Sequence, residues 1–151
     1  MTQEKQGQQF GEVRHAIDKL ALNKYLSENV PAIATPVEVK QFSYGQSNPT
    51  YILTDKKSKR YVLRKKPPGS LVSKKAHAIE REYRILQAVG LHNERLGSSD
   101  HRDSVPVPKV YCLCEQENIV GTSFYIMEFV EGRIFADLRM ITLPKEERRQ
   151  W

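Results

Sequence analysis

The chain has 151 residues, 39% of them apolar, and a formal charge of +6, which suits one domain or one large lobe with a modest core. No run of 18 apolar residues occurs, which argues against a membrane-spanning helix, and Met1 to Gln9 is too polar for a secretory signal. The charge excess is local, with nine basic residues and no acid between Lys56 and Lys75. Such a stretch fits an anionic ligand, an acidic partner or a solvated face. Nucleic acid is a disfavoured partner, because neither interleaved aromatics nor a helix-turn-helix pattern accompanies the charge.

In chain order, Asp18 is a good N-cap for a helix running to Asn29, with Leu22, Tyr25 and Leu26 on one stripe and Pro31 just beyond. Phe10, Val13 and Ile17 continue the helical spacing and extend or precede this helix. Val37 and Val39 lead through alternating charges into Phe42 as a first strand, and Tyr51 to Leu53 and Tyr61 to Leu63 give two more. The polar connection from Thr54 to Arg60 fits a hairpin, and Pro67-Pro68-Gly69 ends strand pairing.

Ser73 is a plausible cap for a second helix ending at Val89 and closed by Gly90. Its stripe of Ala76, Ile79, Tyr83, Leu86 and Val89 includes Glu82, a carboxylate that needs a partner. Leu91 to Ser104 reads as a surface loop. A strand follows from Val110 to Cys114, then a turn through Glu117 and Asn118 and a strand from Phe124 to Phe129. Pro144 starts a final helical segment as its first residue. Cys112 and Cys114, the only cysteines, share one strand face. That is poor geometry for a structural disulfide or zinc site, so reduced thiols and an intracellular, reducing compartment are expected.

Five strands with one helix inserted after the third is the order of a protein-kinase-like N-lobe, so the expected fold is α+β with a five-stranded antiparallel sheet. In the turn between the first two strands, Gly45, Ser47 and Asn48 give backbone access and polar donors for phosphate, although an ordinary hairpin turn would look the same. Arg64 ends the third strand as a cation, with Val62 two residues earlier on the same face. Arg64 alone could be a surface arginine, but Glu82 on the following helix would satisfy it. Met127 to Gly132 is either a connection whose backbone can bond a base edge or a plain edge strand and turn.

The ordered set Gly45-Gln-Ser-Asn-Pro-Thr-Tyr, Tyr61-Val-Leu-Arg-Lys-Lys-Pro-Pro-Gly, Arg81-Glu-Tyr, Pro106-Val-Pro, Gly121-Thr-Ser-Phe-Tyr-Ile-Met-Glu and Glu131-Gly-Arg-Ile-Phe resembles the aminoglycoside phosphotransferase-like kinases. It is especially similar to the N-terminal kinase-like domain of acyl-CoA dehydrogenase family members ten and eleven. The resemblance implies an ATP-binding lobe of a small-molecule, hydroxyacyl-type phosphotransferase that uses ATP with Mg2+ and serves fatty acid metabolism. A mitochondrial or peroxisomal setting is implied by the resemblance alone.

By that resemblance, Ser43, Gly45, Gln46, Ser47 and Asn48 cover the phosphates, Arg64 takes the place of the usual kinase lysine, and Glu82 pairs with it. Met127 lies behind the adenine, and the Glu128 carbonyl and Val130 N–H meet its edge. Residues 18–131 would form the lobe, 1–17 an N-terminal extension, and 132–151 a hinge and the truncated start of a helical C-lobe. The family's catalytic and magnesium-binding aspartates have no counterpart after Gly132, so a fragment or short isoform, inactive alone, is expected. The missing C-lobe or dehydrogenase portion would be its partner. The alternative is a non-catalytic interaction module using the basic 56–75 stretch.

Overall fold

The computed structural model describes residues 10–11, 17–42, 48–69, 78–96, 103–132, 139–141 and 143–149. The elements are β1 (Phe10–Gly11), α1 (Lys19–Asn29), β2 (Glu38–Phe42), β3 (Thr50–Thr54), β4 (Arg60–Lys65), α2 (Ile79–Leu96), β5 (Val110–Cys114), α3 (Glu117–Val120), β6 (Phe124–Glu128) and α4 (Lys145–Arg148). All strands pair antiparallel in one sheet of order β1-β2-β3-β4-β6-β5. The five expected strands are β2 to β6. The short β1 adds a sixth at the edge, so Phe10 belongs to a strand and not to a helical continuation. An unpaired strand edge offers N–H and C=O partners that outweigh a weak local helical spacing.

Alternation of side chains gives the sheet two faces. Tyr51 and Leu53 of β3, Tyr61 and Leu63 of β4, and Phe124 and Ile126 of β6 share one face and pack with Leu22 and Leu26 of α1. Each fully buried leucine of α1 contributes about 2 kcal/mol through the apolar area it removes from water. The helix starts where Asp18 Oδ1 accepts from the N–H groups of Leu20 and Ala21 at 2.9 and 3.0 Å. Asn23 ties it to the sheet by accepting from the Val37 N–H at 2.8 Å.

Lys65 points into this core, 3% exposed, and donates from Nζ to the Val120 carbonyl at 2.6 Å, where α3 ends at a left-handed Gly121. Burial lowers its pKa. The turn expected at Glu117 and Asn118 is thus a one-turn helix whose last carbonyl takes a lysine from the opposite strand. Cys112 and Cys114 lie on the core face, paired with Ile126 and Phe124 across a bulge, and both are free thiols. Burial, with Cys114 beside it, pushes the Cys112 thiol up to about 12.

The helix expected to stop at Gly90 continues to Leu96, so Leu91 to Leu96 are helical and not loop. Glycine within a helix costs about 1 kcal/mol. Opposing that cost, Asn93 donates to the Val105 carbonyl at 2.7 Å and accepts from the Val105 N–H at 3.2 Å, fastening the last turns to the approach to β5. Ser73 and Ala76 lie outside the described residues. Pro144 is the N-cap of α4 and not its first helical residue. No helix among the described residues is long and apolar enough to cross a membrane.

One carboxylate orders the basic hairpin between β3 and β4. Asp55, 6% exposed, accepts from the N–H groups of Lys57 and Lys59, each at 2.8 Å, and from those of Ala34 at 3.3 Å and the Tyr61 hydroxyl at 3.4 Å. Burial alone would raise its pKa, but the Lys59, Ala34 and Lys57 N–H groups and the Tyr61 hydroxyl hold it below the ordinary value. Stability from such a depressed carboxyl is complete above the unfolded-state value and disappears as pH falls through the folded-state value. Asp55→Asn is therefore expected to cost about 2 kcal/mol at neutral pH, with the gap closing in acid. Urea melts of both proteins across that range check the sign.

Candidate functional site

On the face opposite the α1 core, β4 presents Val62 and Arg64. Val62 lies between Ile52 of β3 and Met127 of β6 in register, and Arg64 lies opposite Tyr125. Val62 is buried and Met127 half-buried, so an apolar floor leads along the strand to a cation. Glu82 reaches this cation from the first turn of α2, which Ile79 anchors with a fully buried side chain.

Arg64 Nε lies 2.9 Å from Glu82 Oε2, and Nη2 donates to Oε1 at 3.4 Å. The Nε hydrogen is poorly aligned, so its contact is an ion pair and not a hydrogen bond. Two neutral donors complete the carboxylate. Asn48 Nδ2 reaches Oε1 at 3.4 Å, and the Tyr125 hydroxyl donates to Oε2 at 3.2 Å. Burial and the Glu82 charge raise the Tyr125 pKa against the opposing effect of Arg64, so the hydroxyl keeps its proton. Side-chain exposures of 32% and 38% leave the Arg64–Glu82 pair reachable from solvent, where an ion pair adds about 1 kcal/mol or less to stability. The arrangement aims a cation more than it holds the fold.

A second ion pair lies beside the first. Lys66 Nζ meets Glu80 Oε1, with side-chain exposures of 28% and 19%. Burial alone would raise the Glu80 pKa, but the Lys66 ammonium, its own backbone N–H and the Ser123 hydroxyl hold it low. Lys66 is also fixed through its backbone, donating to the Ser123 carbonyl at 3.1 Å and accepting from Thr122 Oγ1 at 2.9 Å.

At the end of β6, Glu128 donates its N–H to the Lys109 carbonyl at 2.7 Å and accepts from the Lys109 N–H through Oε2 at 3.3 Å. Val130 is 63% exposed. The start of β4 holds this connection, since Arg60 pairs with Glu131 and stacks 4.4 Å from the Phe129 ring centroid.

Of the expected site residues, Val62, Arg64, Glu82 and Met127 thus share one surface, with Glu128 ending β6 and Val130 two residues beyond it. Asn48 is buried, with its amide directed at Glu82. Ser43, Gly45, Gln46 and Ser47 lie outside the described residues. Sequence reasoning missed Tyr125, Glu80 and Lys66. The register partner of Arg64 and the two-residue offsets Arg64/Lys66 and Glu80/Glu82 were the signals that could have found them. Among the described residues no three His, Cys, Asp or Glu side chains gather as a metal site.

Residues 38–151 match the model of the phosphotransferase enzyme family. The chain is 44% identical over 140 residues to probable acyl-CoA dehydrogenase IBR3 of Arabidopsis thaliana, covering 89% of this chain and 16% of that protein. It is 45% identical over 123 residues to mouse acyl-CoA dehydrogenase family member 10, covering 81% of this chain and 10% of that protein. Against human acyl-CoA dehydrogenase family member 11 the identity is 38% over 139 residues, again 89% of this chain and 16% of that protein. The chain therefore spans about a sixth of the length of most of these relatives or less. A crystal structure of a Ralstonia eutropha protein described as an aminoglycoside phosphotransferase superposes with a TM-score of 0.63 at 39% identity, over 88% of this chain and 34% of that one. With its α+β kinase-like sheet and a match that takes in β2 through α4, this chain belongs to the phosphotransferase enzyme family.

Proposed function

We propose that these residues form the ATP-gripping lobe of a small-molecule phosphotransferase. The observation that carries this reading is the Arg64–Glu82 pair, set on the same sheet face as Val62 and Met127. A base needs an apolar floor and a backbone edge, and phosphates need a fixed cation; β4 and β6 supply both within two residues. In this reading Val62 and Met127 flank the adenine, and the Glu128 carbonyl and Val130 N–H meet its edge. Arg64 meets phosphate oxygens, Glu82 holds the guanidinium still, and Ser43, Gly45, Gln46 and Ser47 have the role of further phosphate donors. Asn48 acts through Glu82.

Bound ATP would supply the γ-phosphoryl group. The acyl-CoA dehydrogenase names of the relatives support a hydroxyacyl acceptor. No carboxylate in these residues is assigned as base or metal ligand, and the chain by itself is expected to bind nucleotide without turnover.

The interaction-module reading is weaker, because most of the cations of the basic stretch among the described residues are already engaged. Lys59 stacks 5.3 Å from the Tyr61 ring centroid, Arg60 pairs with Glu131, Arg64 with Glu82, Lys66 with Glu80, and Lys65 is buried.

Isothermal titration with ATP should show saturable binding, weakened at least about tenfold in Arg64→Ala, or about 1.4 kcal/mol. Equal affinity in both proteins, or no binding by the unsubstituted chain, would overturn the reading. Tyr125→Phe removes only one donor from Glu82 and should weaken binding by less than Arg64→Ala. A hydroxyacyl-CoA panel with magnesium should give no turnover above background. Acceptor-dependent turnover that Arg64→Ala abolishes would instead place a catalytic base within these residues.

A further inference from the structure

We infer that Lys66 and Glu80 form a positioning clamp that holds the first turn of α2 against β4 and so keeps Glu82 aimed at Arg64. The role given to Arg64 rests on the nucleotide reading above; the clamp itself rests on geometry. Successive residues of an α-helix are about 100° apart, which puts Glu80 on one side of Ile79 and Glu82 on the other. Ile79 is fully buried, so the helix is seated on an apolar pivot with a carboxylate on each flank.

The two cations that meet those carboxylates are two residues apart on β4 and its immediate continuation, and therefore project from the same face. Rolling the helix about Ile79 in either direction pulls one carboxylate away from its cation. With both pairs formed, both directions are blocked. One pair alone would leave the helix free to roll while its long side chains followed.

The pairs differ in ways that assign them different tasks. Lys66–Glu80 is the better shielded, its lysine is tied through both backbone groups to Thr122 and Ser123, and Glu80 has the Ser123 hydroxyl as a further donor. Arg64–Glu82 is the more exposed and faces the proposed phosphate position. A phosphate at the Nη1 side of Arg64 meets the edge of the guanidinium that Glu82 leaves free. Because the shielded pair lies apart from that edge, α2 stays docked when an anion arrives.

The test reads Arg64 directly, without requiring nucleotide. In a 15N-correlated spectrum its Nε–Hε signal, assigned by its disappearance in Arg64→Lys, should be resolved and, because the Nε atom is buried against Glu82, slow to exchange with water. Glu80→Gln and Lys66→Met should each speed that exchange by at least about tenfold and move the signal toward that of solvated arginine. The charge-swapped double variant, Lys66→Glu with Glu80→Lys, should recover most of the protection. Lys57→Ala, on the exposed hairpin, should leave it unchanged.

ATP titration supplies the second readout. Glu80→Gln should weaken binding in the unsubstituted background and have no further effect in Glu82→Ala, whereas a loss of general stability would act equally in both. An Arg64 signal that keeps its shift and exchange rate in Glu80→Gln overturns the clamp, as does equal weakening in both backgrounds. If the unsubstituted chain binds no ATP, the nucleotide reading falls and the exchange measurement still decides the clamp. Should Lys66→Met fail to fold, Glu80→Gln, which keeps the side-chain shape and removes only the charge, decides alone.

Discussion

The alternation of side chains along β4 is the constraint on which the rest of this lobe depends. Three consecutive cations, Arg64, Lys65 and Lys66, span the end of the strand, and an extended backbone cannot send them all the same way. Lys65 is turned into the α1 core, where the last carbonyl of α3 receives its ammonium at 2.6 Å. Arg64 and Lys66 are turned toward α2, where two carboxylates of one helical turn receive them. A shift of register by one residue would bury two cations beside apolar side chains and leave Lys65 alone to serve two glutamates. The central position of β4, between β3 and β6, is thereby fixed from both faces.

The interactions at the site are worth more as geometry than as stability. Partly exposed ion pairs contribute about 1 kcal/mol or less each, little beside the fully buried Tyr51, Tyr61, Leu63 and Phe124 of the core face. What the pairs do is select one orientation of α2 among several that the apolar contacts of Ile79 would permit. Glu82 then draws together side chains from four places in the chain: Asn48 before β3, Arg64 of β4, Tyr125 of β6 and its own helix. A displacement of any of these elements is felt at the carboxylate, which ties the site to the register of β4 and β6.

Local chemistry made much of this legible in the sequence. The Asp18 cap, the alternating runs of β2 to β6 and the lone carboxylate on the α2 stripe each carry their own signal, and from them the fold and the Arg64–Glu82 contact follow. The rest depends on partners distant in sequence. Gly90 reads as a helix end until Asn93 is seen bonded to Val105. Phe10 reads as helical until β2 offers an open edge. Asp55 reads as an ordinary turn residue, although four donors from three segments converge on it. Lys65 and Lys66 read as members of one charged stretch, because the identity of a lysine says nothing of which face will claim it. The site was legible to the extent that one side chain needed another of opposite charge at a predictable spacing. It was hidden where the partner was a backbone carbonyl or a hydroxyl.

The same reasoning explains why an arginine suits the end of β4. An ammonium is a point charge, and a carboxylate drawn to it competes with any phosphate for the same small volume. A guanidinium is a planar fork with five N–H donors, so one edge can serve a carboxylate while the other remains available. Here Glu82 occupies the edge formed by Nε and Nη2. The remaining Nη1 side is the part of the group that can meet an anion without first displacing the carboxylate. Glu82 is in turn held by Asn48 and Tyr125, neither of which carries charge, so it orients the arginine without recruiting a second cation that would compete for the anion. The neighbouring lysines are removed from that competition by burial in one case and by Glu80 in the other. Of the three consecutive cations Arg64, Lys65 and Lys66, the fold thus leaves the guanidinium facing along the apolar floor of Val62 and Met127, oriented by a carboxylate from the helix above.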